Sequence, residues 1–255
     1  MEWQFIKEML YGLQFLIPFV KLIMQCISTP RFSLMFNGTL HGFFESKRGL
    51  RQGDPISPLL FVIRMEHLSR LMAKVGDKED FCFHDRCTEL KLNHLAFADD
   101  VILFSKGNER SVRYLLQALK LFSVTSGLQP SPTKIALYCS NMEQTVVERL
   151  LKLSSFSRQN LPFTYLGIPI NAKRISGREC EILIEKMTAR IRSWSSRNLS
   201  FAERTVLINF VLMAIQAYWS QILILPKRII RGTEAVFIAY LWKGQSMFQG
   251  AGAIN

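Results

Sequence analysis

The chain predicts an α+β fold built around an antiparallel sheet, and three observations lead there. Segments of helical and of strand periodicity are mixed, without the regular strand-helix-strand alternation of a doubly wound parallel sheet. Two short stretches carry hairpin signatures, "FSLMFNGTLHGFF" around Asn37-Gly38 and "LNHLAFADDVILFSK" around Asp99-Asp100. A composition 49% hydrophobic and 20% charged over 255 residues buries a core in one large domain or two small ones, and excludes disorder as the overall state.

From Glu2 to Cys26 the apolar positions suit one or two short helices, interrupted near Gly12 and Pro18. The opening "MEWQFIKEMLYG" reads as an amphipathic helix rather than a secretory or transit signal. After the Asn37-Gly38 hairpin, "ESKRGLRQGDPISP" is a loop rich in Gly, Pro and charge. It delivers the N-terminus of the helix "LLFVIRMEHLSRLMAKV", a place suited to anions. Glu89 to Lys106 reads as two strands meeting at Asp99-Asp100, and "ERSVRYLLQALKLFSVTSG" as an amphipathic helix ended by Gly127. Beyond "LPFTYLGIPI" the pattern turns helical, with Leu183, Met187, Ile191 and Trp194 on one face and Lys173, Arg174, Arg178, Arg190, Arg192 and Arg197 crowding the region. We therefore place a boundary near residue 170, with a mixed sheet domain over 1–170 and a basic helical one over 171–255.

"VLINFVLMAIQAYWSQILIL", Val206 to Leu225, is uncharged and about long enough to cross a bilayer. Asn209, Gln216, Ser220 and Gln221 recur through it and both flanks are basic, so it is expected to be a buried helix running into a strand or loop at Pro226, with no membrane span.

Lys and Arg number 32 against 20 Asp and Glu, a net charge of +12 that favours an anionic partner, such as nucleic acid or an anionic membrane surface, over the plainer reading of a soluble basic surface. The five cysteines form no even framework and read as reduced thiols of an intracellular protein. Cys82, His84 and Cys87 in "CFHDRC" lack a second ligand pair at zinc spacing and are expected to be core or loop residues.

Two features carry chemistry. Asp99 and Asp100 place two carboxylates inside an apolar stretch, where an unpaired buried charge is costly. Adjacent side chains leave a strand in opposite directions unless a turn redirects one. Such a pair at a hairpin tip suits Mg²⁺, which takes one or two carboxylates together with substrate phosphates. The plain alternative is an ordinary Asp-Asp turn. "RGLRQGDPISPLLF", Arg48 to Phe61, joins a glycine loop, two arginines and a glutamine to a helix start, and backbone amides with Arg are natural phosphate ligands. Alone, it reads equally well as a solvated basic loop.

Taken in order, "RGLRQGDPISPLLF", "FADD", "SGLQPSPTK" and "YLGIPI" resemble the reverse transcriptases of non-LTR retrotransposons, most closely the plant LINE type. The likeness continues through "IRSWSSRNLSFAERTVLINFVL" and "LPKRIIRGTEAVFIAYLWKG" and covers nearly the whole chain. The resemblance implies a partial right-hand polymerase, with a palm over 1–170, a thumb-like helical region over 171–255 and no fingers. It implies RNA-directed DNA synthesis from deoxynucleoside triphosphates on an RNA template with a DNA primer, in the nucleus or cytoplasm, with no membrane expected; it points to no particular obligate protein partner. Asp99 and Asp100 fall on the family's Mg²⁺-binding doublet, with Phe97 and Ala98 completing the turn. Arg48, Gly49, Gln52 and Gly53, with Arg51 among them, match the loop that holds the incoming nucleotide and template. Lys134 matches a lysine that acts on the departing pyrophosphate, and "YLGIPI" resembles the primer-gripping turn. Ser131 stands where the family usually has Asn, and Ile135 where it has a small hydroxyl residue.

Glu2 and Trp3 match the end of a D-x-x-E-W pattern whose Asp is the family's third catalytic carboxylate, so that Asp is expected upstream of Met1. Without it, the doublet is expected to hold metal weakly and catalyse poorly. The alternatives are a non-catalytic nucleic-acid-binding protein using Arg174 to Arg197, or a decayed reading frame without a stable product.

Overall fold

A computed structural model describes residues 2–173, 175–194 and 199–244. The chain parts into two compact units, Met1–Gln159 and Asn160–Asn255.

In the first unit, α1 (Trp3–Gly12) and α2 (Ile17–Ser28) are separated by the break foreseen at Gly12, where Gln14 turns through φ +61°. Pro18 lies in the first turn of α2, where its missing N–H has no intrahelical partner to lose. The hairpin of β1 (Arg31–Phe36) and β2 (Thr39–Glu45) turns at Asn37-Gly38 with φ of +48° and +79°, the pair of positive angles that a tight two-residue hairpin turn requires. α3 (Ser57–Gly76) follows, then a short 3₁₀ turn at Asp85–Cys87, the hairpin of β3 (His94–Phe97) and β4 (Asp100–Leu103), and α4 (Glu109–Ser126). β5 (Ala136–Tyr138), α5 (Gln144–Ser154) and β6 (Ser157–Gln159) complete the unit.

α3 runs through both cores of this unit. Near its start Leu60 packs with Ile6, Leu10, Val20, Ile23 and Ile27 of α1 and α2. Farther along, Leu68, Met72 and Val75 pack with Leu115, Ala118 and Phe122 of α4. Asn108 caps α4 by accepting the Ser111 N–H at 2.7 Å, and Gly127 closes it at φ +67°. A Cβ at Gly127 would lie 3.1 Å from Glu2 Cγ as well as adopting a left-handed backbone. Gly127→Ala is expected to cost about 1 kcal/mol of stability, read as a lower urea midpoint at unchanged slope.

The α+β class is observed, but the single antiparallel sheet is not. The described strands form four separate two-stranded ladders, and β5–β6 pairs parallel. The reason lies in the strands: they span three to seven residues, and β2 is exposed along its whole length, so no shared face draws the ladders together.

In the second unit, the hairpin of β7 (Phe163–Tyr165) and β8 (Ile168–Ile170) precedes α6 (Gly177–Trp194), α7 (Phe201–Leu207), a π-helical turn at Ile208–Leu212, α8 (Met213–Ile222) and α9 (Lys227–Lys243). The sequence division near 170 put this hairpin with the sheet domain, whereas here it belongs with the helices. Tyr218 Oη donates to the Leu166 carbonyl at 2.9 Å, and Lys186 Nζ to that of Gly167 at 2.7 Å. Leu183, Met187 and Ile191 of α6 are buried against Leu212, Trp219, Ile229, Val236 and Tyr240, and Trp194 packs at the edge of this core. Ser200 and Glu203 form a reciprocal capping box at the start of α7. Of the basic residues singled out in this region, Arg174 and Arg197 lie outside the described residues.

The stretch from Val206 was expected to be buried, and this is corrected. Phe201–Ile222 is one continuous helical run, and only 17% of its most apolar window is buried. Ile208, Leu212 and Trp219 point inward, while Val206, Phe210, Met213 and Ile222 are exposed. Among the described residues this is the one helix long and apolar enough to cross a membrane. An uncharged run offers no charge periodicity to separate its inner face from its outer one, so sequence alone made it look buried all round.

Candidate nucleotide and metal site

The glycine-arginine loop is built by its own residues. Gly49 and Gly53 adopt φ of +90° and +88°, so a side chain at either position would be strained. Asp54 Oδ1 accepts the Ile56 N–H at 3.0 Å, an Asx turn that aims the chain into α3. Ser57 Oγ donates back to the Arg51 carbonyl at 2.8 Å, and Ser46 Oγ to that of Arg48 at 2.7 Å. From α1, Trp3 Nε1 reaches over and donates to the Gly49 carbonyl at 2.6 Å. α3 begins without a side-chain cap, but its opening is largely satisfied from within: Ser57 N–H donates to the Asp54 carbonyl at 3.1 Å, and Pro58 brings no N–H.

Behind the loop lies an open cavity of about 340 Å³, walled by Cys26 and Ile27 of α2, Phe32 of β1, and Gly49, Arg51 and Gln52. Arg48 is exposed beside it, and Gly53 shapes the loop without lining the wall.

The carboxylate pair sits on the second hairpin. Phe97 pairs with Asp100, so Ala98 and Asp99 form a two-residue turn, with Ala98 held at φ +49°. Asp99 belongs to the turn and Asp100 to the first rung of β4, and this arrangement answers the question of opposed neighbours. Both are exposed, as are Leu95 and Phe97, so the expectation of an apolar, core-like setting is corrected. Only the β4 side of the hairpin reaches the core, through Val101 and Leu103. Two carboxylates in water need no buried cation to balance them, and among the described residues neither forms an ion pair.

The hairpin hangs from α3. His94 Nε2 lies 3.1 Å from Ser69 Oγ, and Asn93 Nδ2 donates to the Met72 carbonyl at 2.6 Å in a buried contact. Burial lowers the pKa of His94, which keeps it neutral at pH 7 in this tie. The loop enters α3 at Ser57 and the hairpin is tied at Ser69, twelve residues or about 18 Å along the helix axis. Asp99 and Asp100 are not part of the cavity wall. Lys134 is exposed at the end of a turn closed by its own N–H on the Ser131 carbonyl at 3.0 Å, just before β5, and is likewise outside that wall.

A divalent cation suits the Asp99-Asp100 oxygens, which are exposed and unengaged. Among the described residues no third Asp, Glu, His or Cys gathers with them. Cys82, His84 and Cys87 do not form such a group either.

Sequence reading missed three supports: the Trp3–Gly49 bond, the Asn93–His94 tie, and Arg64, a fully buried charge on α3. Arg64 had left a signal, since it falls on the same helical stripe as Leu60, Leu68 and Met72.

The glycine-arginine loop enters α3, and the hairpin with the exposed carboxylate pair is tied to the same helix, within an α+β unit. Residues 6–170 match the reverse transcriptase (RNA-dependent DNA polymerase) family, and the chain belongs to that family. It is 40% identical over 72 residues to an uncharacterized mitochondrial protein of Arabidopsis thaliana, covering 27% of this chain and 59% of that one. It is 29% identical over 182 residues to the retrovirus-related Pol polyprotein of a type-2 retrotransposable element of Drosophila melanogaster, covering 65% of this chain and 16% of that one. The chain thus spans less than two thirds of either relative.

Proposed function

We propose that this chain is the polymerase portion of a LINE-type, plant-like non-LTR retrotransposon, working on an RNA template and a DNA primer. The observation that carries the reading is the sharing of α3 by the Gly49–Gly53 loop and the Asp99-Asp100 hairpin, within the segment that matches the family. In this reading the unit Met1–Gln159 acts as palm and the unit from Asn160, hairpin and helices together, as the thumb-like region. Arg48 and Arg51 attract the triphosphate, Gly49 and Gly53 let the backbone approach it, and Gln52 orients the nucleotide against the template. Asp99 and Asp100 would hold Mg²⁺, which would supply Lewis-acid activation of the primer 3′-hydroxyl and charge neutralisation at the α-phosphate. The 3′-oxygen bonds the α-phosphorus as the bond to pyrophosphate breaks, and the hydroxyl proton passes to water. Lys134 neutralises the departing pyrophosphate. The Leu166-Gly167 turn, held by Lys186 and Tyr218, grips the primer. Transfer needs one more carboxylate beside the doublet, so the described residues alone support weak metal binding and little turnover.

A second reading, nucleic-acid binding without catalysis, is favoured by the net charge of +12. Both readings predict binding to an RNA–DNA primer-template that weakens at least about tenfold between 50 and 200 mM salt, because released counterions drive it. Fluorescence anisotropy across that range measures it, and salt-insensitive binding sinks both readings. Primer extension in Mg²⁺ or Mn²⁺ separates them, since only the first predicts incorporation that Asp99→Ala abolishes.

A further inference from the structure

The bond from Trp3 Nε1 to the Gly49 carbonyl, 2.6 Å long, ties α1 to the glycine-arginine loop, and both Trp3 and Leu50 pack against the core that Ile6, Leu10 and Leu60 share. Two helices thus hold the loop by its carbonyls. Ser57 Oγ holds that of Arg51 from the start of α3 at 2.8 Å, while Trp3 holds that of Gly49 from α1. A Cβ built on Gly49 would meet nothing within 4 Å, so its φ of +90°, rather than crowding, calls for glycine there.

From Leu50 to Gly53, four consecutive backbone N–H groups donate to no acceptor among the described residues. Successive unpaired amides in turn conformations receive anions, and Arg48 and Arg51 bring two exposed charges to the same stretch. The first of those amides depends on Trp3. A trans peptide carries its C=O and N–H on opposite sides, so the plane that turns the Gly49 carbonyl toward the indole turns the Leu50 N–H away from it. Glycine offers little resistance to rotation of that plane, and the indole bond is what opposes it.

We infer that Trp3 is a positioning residue for the incoming triphosphate: its indole N–H fixes the Gly49–Leu50 peptide plane, and with it the Leu50 N–H that begins the row of free amides. Trp3 is not part of the cavity wall beside the loop and acts through Gly49. The inference rests on reading the loop as a nucleotide site, and the experiment is chosen so that either can fail by a result of its own.

The test titrates inorganic tripolyphosphate into the full chain, labelled with ¹⁵N and ¹³C, and follows the amide resonances of Leu50, Arg51, Gln52 and Gly53. Two altered chains are compared with the parent. One carries Trp3→Phe; the other has β-(3-benzothienyl)alanine in place of Trp3, which keeps the ring's shape and puts sulfur where the N–H was. Each is expected to bind about tenfold more weakly, with the residual binding drawn by Arg48 and Arg51, and to show the Gly49 carbonyl ¹³C resonance moved upfield by loss of its donor. Should Trp3→Phe fail to fold, the sulfur analogue decides alone. Equal affinity in the parent and the analogue overturns the role of Trp3 and leaves the nucleotide reading standing. Weakening by Trp3→Phe without weakening by the analogue overturns it too, since packing and not the N–H would then be at work. Tripolyphosphate that moves none of the four amides in the parent overturns both the role of Trp3 and the nucleotide reading of the loop.

Discussion

Asparagine at both Asp99 and Asp100 is expected to abolish saturable Mn²⁺ binding by the chain, which in the unmodified protein saturates with a dissociation constant on the order of 1 mM. The weakness follows from geometry. Two exposed carboxylates, one in a two-residue turn and one on the first rung of β4, supply few oxygens, and water supplies the rest. Asparagine keeps the shape of each side chain and its turn-forming capacity, so the hairpin should stay folded while the charge that recruits the cation disappears. Paramagnetic resonance of free Mn²⁺ counts what is bound. Equal binding by both proteins would move the metal elsewhere and remove the doublet from the proposed mechanism. Nucleotide incorporation should be lost along with the metal in any assay that detects it. Incorporation that survives the double substitution would show that these oxygens are not the catalytic ones.

The largest stability effect is expected in the second unit, at Trp219. Its side chain is 1% exposed, packed among Leu183, Met187, Ile229 and Val236, with the Lys186 ammonium 5.5 Å from its ring centroid. Trp219→Ala removes the largest apolar side chain of that core and leaves a void that a helix pinned at both ends cannot close, so a loss of about 3–5 kcal/mol is expected. That is a large fraction of an ordinary domain's stability, and the second unit should melt well before the first. Circular dichroism during urea unfolding, which does not depend on the lost indole, should show two transitions where the parent shows fewer. Phe210→Ala, on the exposed side of the same helical run, serves as the control, and an equal loss there would contradict the assignment of inner and outer faces.

Local signals in the sequence proved reliable where the chain itself sets the conformation. Asn37-Gly38 marked a turn because both residues tolerate positive φ, Gly127 ended α4 for the same reason, and Gly49 and Gly53 marked a loop. Spacing likewise found the inner face of α6 through Leu183, Met187 and Ile191. What escaped depends on residues far apart. Nothing near Ala98 says whether its apolar neighbours are covered, and Leu95 and Phe97 are not. Nothing around Ala136 announces a parallel partner at Ser157. The bond from Trp3 to Gly49 joins residues 46 positions apart, a relation that no window of periodicity contains. The candidate site was legible as residue types in a certain order, while its supports were visible only after folding.

The arrangement of the strands bears on how the molecule assembles. β1–β2, β3–β4 and β7–β8 each close across two residues, and β5–β6 alone must wait for an intervening helix. Closing such short loops involves little search, so each ribbon can zip within microseconds and as soon as it leaves the ribosome. Among the described strands only β5 is held open for a mate beyond a helix, and in the first unit the slow step falls to the docking of helices around α3.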